Sequence, residues 1–275
     1  MMRKALKTTL LLFTAMSAQA ALPVTPLEPV YHALFSQRTD QAWQLLINLW
    51  PQMTSTTQRT AWRQALEAVV SGQCGNDLPV TAPAWLDHPT LALVQRDIPL
   101  NRIYRVQFSG KSARHDVQVS LTLPDGEEAL QGIAAEYEDD GQFRFESQER
   151  GLPLPAGVYR LTVRSGNDVW RQTLALQGSG EVNWVQRQGQ EIHLQRPSAP
   201  VACPAPWLEQ SLLRRGEYQQ VWWQRDDNLH LQPWPARTDA EALWANVSVV
   251  RAEARGGLTL RIEHRLAGPL LRLQP

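Results

Sequence analysis

Apolar residues in the first part of the chain recur at the spacing of an α-helix. The first run falls at positions i, i+3, i+4, i+7 and i+8 and consists of Leu27, Val30, Tyr31, Leu34 and Phe35. Two similar runs follow, one ending at Pro51 and one at Gly72. No second copy of this pattern occurs, which disfavours a helical repeat protein. The spacing therefore predicts a small N-terminal helical hairpin unit over residues 21–75.

The pattern then changes twice. Prolines interrupt any regular pattern over residues 76–100, which indicates a linker. From about Arg102 apolar and polar residues alternate, as they do in strands that expose one face to solvent. Asp-Gly pairs at residues 125–126 and 140–141 are turn signals between such runs. About seven short strands of this kind predict a central antiparallel β-sandwich over residues 101–197.

The last segment, residues 198–275, mixes helical and strand patterns. Prolines open it, and we expect a short helix that ends near Gly216. A second helix is expected over residues 240–245, and Gly256-Gly257 indicates a hairpin turn between strands. This segment is predicted to be a small C-terminal α+β unit. The predicted fold class of the whole chain is therefore α+β and multidomain.

The first twenty residues have the three parts of a secretory signal peptide. A basic start is followed by an apolar stretch over residues 10–15 and by the small-residue triplet Ala18-Gln19-Ala20. The apolar stretch is much shorter than the roughly 20 residues needed to cross a bilayer, and no later segment approaches that length. We expect cleavage near Ala20, a mature chain from about Ala21 without a transmembrane segment, and a periplasmic location.

Two cysteines, Cys74 and Cys203, lie in the part of the chain that we expect to be exported. An even number of cysteines in an oxidising compartment favours a disulfide between them. Two buried free thiols are the alternative. A metal site is less favoured, because two thiolates without a nearby histidine do not complete a tetrahedral shell.

Charge and composition narrow the class of protein. Lysine plus arginine and aspartate plus glutamate both number 27, so no net charge attracts nucleic acid or an anionic membrane. A hydrophobic content of 43% is typical of a globular protein and excludes wholesale disorder. We therefore expect a folded protein without a nucleic-acid partner.

Two features resemble known bacterial proteins. Residues 155–163, Pro-Ala-Gly-Val-Tyr-Arg-Leu-Thr-Val, are similar to a strand of many secreted bacterial immunoglobulin-like sandwiches. The order of features along the chain resembles that of an uncharacterised family of periplasmic proteins from Gram-negative bacteria. These features are a signal peptide, a Trp-rich helical start, the run from Cys74 to Pro79, a sandwich and a second cysteine. The first resemblance implies an immunoglobulin-like central sandwich. The second carries over no catalytic residue, because that family has none assigned.

The sequence lacks the motifs that identify the most common hydrolases and metalloproteases. Neither a Gly-x-Ser-x-Gly elbow nor a His-Glu-x-x-His helix occurs. The most reactive-looking cluster is Asp226, Asp227 and His230, a pattern that can bind a cation or supply acid and base groups. Turn chemistry explains it better, because Asp-Asp-Asn lies between two apolar runs. We therefore expect no enzyme activity, no cofactor and no metal site.

Eleven tryptophans are unusual for a chain of this length. Indole rings favour cores, protein interfaces and sugar-binding surfaces. Trp222 and Trp223 are consecutive in a predicted strand and point to opposite faces, so an exposed member of this pair, with Trp234 nearby, is the candidate contact surface. We expect an accessory protein that binds another protein of the cell envelope. The alternative is a module that binds cell-wall or surface polysaccharide.

Overall fold

The computed structural model describes residues 25–189, 191–216, 219–236 and 240–270. The predicted signal peptide lies outside these residues. Strands account for 43% of the structure and helices for 17%, so the protein is mostly β. The predicted α+β multidomain fold class, with a helical hairpin unit, a central sandwich and a C-terminal α+β unit, is therefore wrong.

The strands of the described residues build two sheets and a hairpin. In chain order they are β1 (Asp87–Ile98), β2 (Asn101–Lys111), β3 (Gln118–Thr122), β4 (Glu136–Tyr137), β5 (Gln142–Glu146), β6 (Gly157–Ser165), β7 (Asp168–Leu176), β8 (Val185–Gln188), β9 (Glu191–Leu194), β10 (Trp207–Arg214), β11 (Gln220–Asp226), β12 (Leu243–Arg255) and β13 (Leu258–Pro269).

The larger sheet has eight strands in the order β11-β10-β12-β13-β1-β2-β5-β4. β1 and β13 are parallel, whereas the other neighbours pair antiparallel. β3, β6 and β7 form a second sheet, and β8 and β9 form a hairpin. Strands from the predicted central and C-terminal units therefore share one sheet. Alternation along a strand identifies its buried face but not its neighbour, so it missed this pairing.

Three short helices precede the strands in the described residues: α1 (Glu28–Phe35), α2 (Thr39–Leu49) and α3 (Thr56–Ser71), with a 3-10 turn at Trp50–Gln52. A capping box at Ser55 and Gln58 begins α3. The predicted separate helical hairpin unit does not form. The buried stripe of the helices continues into Leu78 and into Ala175 of β7, so the helices pack onto β structure.

One face of the eight-stranded sheet is packed along its width. Below β1, β2 and β5, side chains such as Leu93 and Phe108 share a buried cluster with Leu161 of the three-stranded sheet. Below β10, β12 and β13, Val247 packs with the β8–β9 hairpin and with residues 229–234. The opposite face carries no covering layer within the described residues.

The predicted linker contains β1. Leu91 to Val94 are all buried, so this part of β1 is a continuous apolar run rather than an alternating one. Pro89 lies at the register shift between Asp87 and Thr90, where the regular ladder is interrupted. The prolines around this apolar run therefore concealed a central strand.

The C-terminal helices were also predicted wrongly. The expected helix that ends near Gly216 is strand β10, in which Leu208 and Leu212 are buried at a period of two. The expected helix over residues 240–245 is reduced to a 3-10 turn at Ala240–Ala242, after which β12 begins. The predicted turn at Gly256-Gly257 is confirmed between β12 and β13.

The disulfide between Cys74 and Cys203 is confirmed, with an S–S distance of 2.01 Å. The Cys74 carbonyl also accepts a hydrogen bond from the Ala254 N–H at 2.8 Å. Gly75 follows with a φ of +75°, and a Cβ there would lie 2.1 Å from the Ala254 carbonyl oxygen. The chain after α3 is therefore held against the end of β12 by covalent and backbone contacts.

Candidate binding groove

The open face of the eight-stranded sheet forms a groove of about 910 Å³. Every second residue of its strands points into this groove, as Arg261, Glu263 and Arg265 of β13 do. The neighbouring strands add mostly polar side chains, including Glu209, Ser211, Trp223, Trp244, Asn246, Ser248, Arg96, Arg105, Gln107, Arg144 and Glu146. Its volume falls within the range of ligand-binding clefts, and its lining is more polar than theirs.

Paired charges cross the floor of the groove. Glu263 is 2% exposed, and its carboxylate lies 2.7 Å from the Arg265 guanidinium and 3.7 Å from that of Arg261. Arg261 also pairs with Glu209 at 3.0 Å. Burial on its own raises the pKa of the Glu263 carboxyl, but the two arginines outweigh burial and lower it. Glu263 is therefore ionised at neutral pH although it is buried.

A second group of ion pairs lies on β2, β5 and β4. Arg105 pairs with Glu146 and Glu149, and Arg144 pairs with Glu136 at 2.6 Å. These arginines and glutamates balance one another, so the groove has no large excess of either charge. Such a surface does not select a polyanion such as nucleic acid. It fits a ligand that offers hydrogen-bond donors and acceptors.

Several buried polar atoms of the groove have no hydrogen-bond partner among the described residues, and Asn246 Oδ1 and Trp244 Nε1 are two of them. Asn246 is 4% exposed, and its Nδ2 donates to Ser211 Oγ at 3.1 Å. A buried polar group without a partner costs about 1–3 kcal/mol. A ligand that hydrogen-bonds to these side chains would recover part of this cost.

The three tryptophans of the predicted contact surface lie on two different faces. Trp222 and Trp234 are on the packed face, with ring centroids 5.6 Å apart in an edge-to-face arrangement. Trp223 points the other way, lines the groove and is 50% exposed. The alternation of β11 separates the two consecutive rings, so only Trp223 of the three reaches the open face.

The polar cluster after β11 forms a turn. Asp226 Oδ1 accepts hydrogen bonds from the backbone N–H groups of His230 at 2.9 Å and Asn228 at 2.8 Å. The bond from the His230 N–H lowers the pKa of the Asp226 carboxyl, and burial opposes that shift. Asp227 pairs with Arg225 at 2.7 Å. These contacts occupy both carboxylates, and the described residues contain no group of three metal-ligating side chains placed to hold an ion.

His264 is a fully buried histidine that joins three strands. Its Nδ1 accepts hydrogen bonds from the N–H groups of Trp184 at 2.9 Å and Val185 at 3.1 Å, so the ring proton is assigned to Nε2. Nε2 then donates to Asp97 at 3.1 Å, and Asp97 also pairs with Arg102. Burial raises the pKa of Asp97, but the hydrogen bonds from His264 and Arg102 outweigh it and lower the pKa to about 2. The cluster fixes β8 onto the packed face.

The charged residues of the groove were not predicted from the sequence. Their signal is the alternation Arg261-x-Glu263-x-Arg265 within a long strand pattern. Polar residues at a period of two usually face solvent in an antiparallel sheet. Alternating charged residues occur both on strand faces exposed to solvent and on strand faces that line a ligand site. The two cases differ only in whether the neighbouring strands form a groove over that face.

Comparison with known proteins identifies a family. Residues 23–270 match the model of a family described as "Protein of unknown function (DUF2861)". No curated protein matches the chain. A solved chimeric titin Z1Z2-Z1Z2 tandem, functionalised with an exogenous GRGDS peptide from fibronectin, is 16% identical over 69% of this chain and 99% of that chain. The TM-score of that match is 0.19. Among the described residues, no helix combines the length and apolar character needed to cross a bilayer.

Proposed function

For this chain, which belongs to the DUF2861 family of proteins of unknown function, we propose the role of a non-catalytic binding protein of the cell envelope. Its proposed partner is another envelope protein, and its proposed binding surface is the groove. A periplasmic location in Gram-negative bacteria is part of the proposal. The signal-peptide pattern of residues 1–20 and the Cys74–Cys203 disulfide support that location.

The observation that carries the proposal is the contrast between the two faces of the eight-stranded sheet. One face is packed, whereas the other presents a concave surface with an exposed ring, Trp223, at one end. Arginine and aromatic side chains are enriched at protein interfaces, and both types line this surface. Because the side chains stand on strands rather than on loops, little backbone ordering opposes binding.

Site-specific photo-crosslinking in cells that naturally produce the protein tests this proposal. The photo-reactive residue p-benzoylphenylalanine replaces Gln220, which lines the groove, or Phe35, an 87% exposed ring on α1 that serves as the matched control. We expect one dominant protein adduct from position 220 and none above background from position 35. Equal adduct yields from the two positions, or none from position 220, would contradict the proposal.

A second candidate is binding of a polysaccharide, favoured by the neighbourhood of Trp223. An exposed indole stacks on sugar rings, and Ser211 and Asn246, which lie on the same row of the groove, offer hydrogen bonds to hydroxyl groups. Cosedimentation with purified sacculi at high salt tests it. Binding that Trp223→Ala abolishes and Phe35→Ala leaves intact would favour the glycan, and absence of cosedimentation would exclude cell-wall glycan as the ligand.

A further inference from the structure

We propose that the partner protein adds a strand to the edge of the eight-stranded sheet at β11. The occupant is an extended, uncharged segment of the partner, hydrogen-bonded through its backbone to β11. This inference rests on the proposed function, because it states how the same partner is held beside the groove.

The two edges of the eight-stranded sheet differ. β4 contributes only two residues, and the exposed Glu136 on it pairs with Arg144. β11 is seven residues long, contains neither proline nor lysine, and has its register shift only near Gln220. Natural sheets protect their edges with short strands, prolines, bulges or charges. The β4 edge has such protection, whereas most of the β11 edge lacks it.

The one basic side chain of β11, Arg225, does not block the pairing of another strand with this edge. The Arg225 guanidinium lies 4.2 Å from the centroid of the Trp207 ring on β10, which places it over the sheet. It also pairs with Asp227 at 2.7 Å. Because Arg225 is held by these two neighbours, its charge is satisfied without an incoming segment. A partner segment therefore needs no acidic residue at this position.

The hydrogen-bond pattern shows which backbone groups of β11 face outward. The Arg214 N–H donates to Gln219 at the β11 end, whereas the Arg215 N–H donates to Ala242 before β12. Even-numbered residues of β10 therefore direct their backbone groups to β11, where they pair with Trp222, Gln224 and Asp226.

By the same alternation, the N–H and C=O groups of Trp223 and Arg225 point away from β10. No hydrogen bond from another described residue reaches these groups. Each outward residue offers one donor and one acceptor at the spacing that an extended backbone matches. These outward backbone groups are thus the recognition element for an added strand.

The side chains at the edge define the chemistry of the partner segment. Trp223 is half exposed beside the outward backbone groups, so an apolar side chain opposite it would bury apolar area. The nearest charges, Arg225 with Asp227 and Arg261 with Glu209, are already paired. An uncharged strand with an apolar residue facing Trp223 fits this edge, and its alternate side chains would extend the lining of the groove.

The test compares Trp223→Pro with Trp223→Ala in the chain that carries p-benzoylphenylalanine at position 220. Both variants lose the ring, but only proline removes the outward N–H and places a ring against the incoming strand. Proline is tolerated at an edge position whose N–H is not used by the sheet. We expect less adduct from the Ala variant than from the unsubstituted chain, because the Trp223 ring contributes to binding, and at least about tenfold less from the Pro variant than from the Ala variant.

Amide hydrogen exchange of the wild-type protein provides a measurement that does not depend on the folding of a variant. With the identified partner added, the N–H groups of Trp223 and Arg225 should exchange at least about tenfold more slowly, while that of Glu136 on β4 stays unchanged.

The outcomes separate the two proposals. No adduct from position 220 in the wild type would overturn both. An adduct that forms equally in the Pro and Ala variants, or unchanged exchange at Trp223, would refute strand addition and leave the binding role standing. A proline-sensitive adduct between two copies of this chain would overturn the proposed occupant.

Discussion

Replacing Arg255 with methionine tests how the helices, β7 and the β12–β13 hairpin are held together. Arg255 is fully buried, and its guanidinium donates to the carbonyls of Ala175 at 3.2 Å and Ala254 at 2.8 Å and to the Glu253 carboxylate at 3.0 Å. Burial lowers the pKa of the Arg255 guanidinium, and the Glu253 carboxylate opposes that shift. Methionine keeps the unbranched apolar stem of arginine but is shorter and donates no hydrogen bond, so Glu253 loses its partner.

The expected magnitude follows from that loss. Removing one partner of a buried ion pair costs about 3–5 kcal/mol, because the remaining charge stays buried without compensation. Removing both charges in Arg255→Met with Glu253→Leu should restore most of the lost stability, since no unpaired charge remains. Arg160→Met on β6 is the matched control, because Arg160 is exposed, and it should change the free energy of unfolding by less than about 0.5 kcal/mol.

Urea unfolding of the oxidised protein, followed by tryptophan fluorescence, measures these free energies. A loss of less than about 1 kcal/mol in Arg255→Met, below the range for a broken buried pair, would contradict this prediction. A double variant less stable than Arg255→Met would also contradict it, because the unpaired carboxylate would then not be the cause of the loss.

Three other changes should alter the stability of the protein in a direction that follows from the structure. The pKa of Asp97 is lowered from 3.8 to about 2, which contributes about 2 kcal/mol of stability. This stability is present above about pH 4 and is lost as the pH falls through about 2. In urea unfolding measured at a series of pH values, Asp97→Asn should remove this decrease in the free energy of unfolding. Replacing Cys74 and Cys203 by serine should lower the free energy of unfolding by about 5 kcal/mol, because the bond spans 129 residues, and an unchanged urea midpoint would contradict this. Gly75→Ala, with a backbone oxygen 2.1 Å from the new Cβ, should lower the melting temperature more than Gly126→Ala, which has positive φ but open space.

Local sequence patterns predicted some helices and turns correctly, but they did not predict which strands pair with each other. The helical stripe marked α1 to α3, and Gly256-Gly257 marked the turn of the β12–β13 hairpin. That hairpin lies in the middle of the sheet because β13 pairs in parallel with β1, from Thr90–Thr259 to Asp97–Leu266. Such a pairing joins segments far apart in the chain, and neither segment carries a local signal for the other.

The candidate site was predictable only in part. The consecutive pair Trp222 and Trp223 had to separate onto two faces, but its position in the strand did not show which ring would be covered. The layer that covers Trp222 includes Trp234, which lies after the turn at residues 226–230 and packs back onto the same face. Glu263 offered no signal of burial, because its enclosure depends on arginines on either side and on the curvature of the whole sheet.

Hydroxyl-radical footprinting measures whether a partner occupies the groove in the cell. Labelling is compared between the purified protein and cells that naturally produce it, at Trp223 in the groove and at Phe35 on α1 as the exposed control. We predict that labelling of Trp223 falls several-fold in cells relative to the purified protein, while labelling of Phe35 does not change. Equal labelling of Trp223 in the two samples would show that no partner covers the groove.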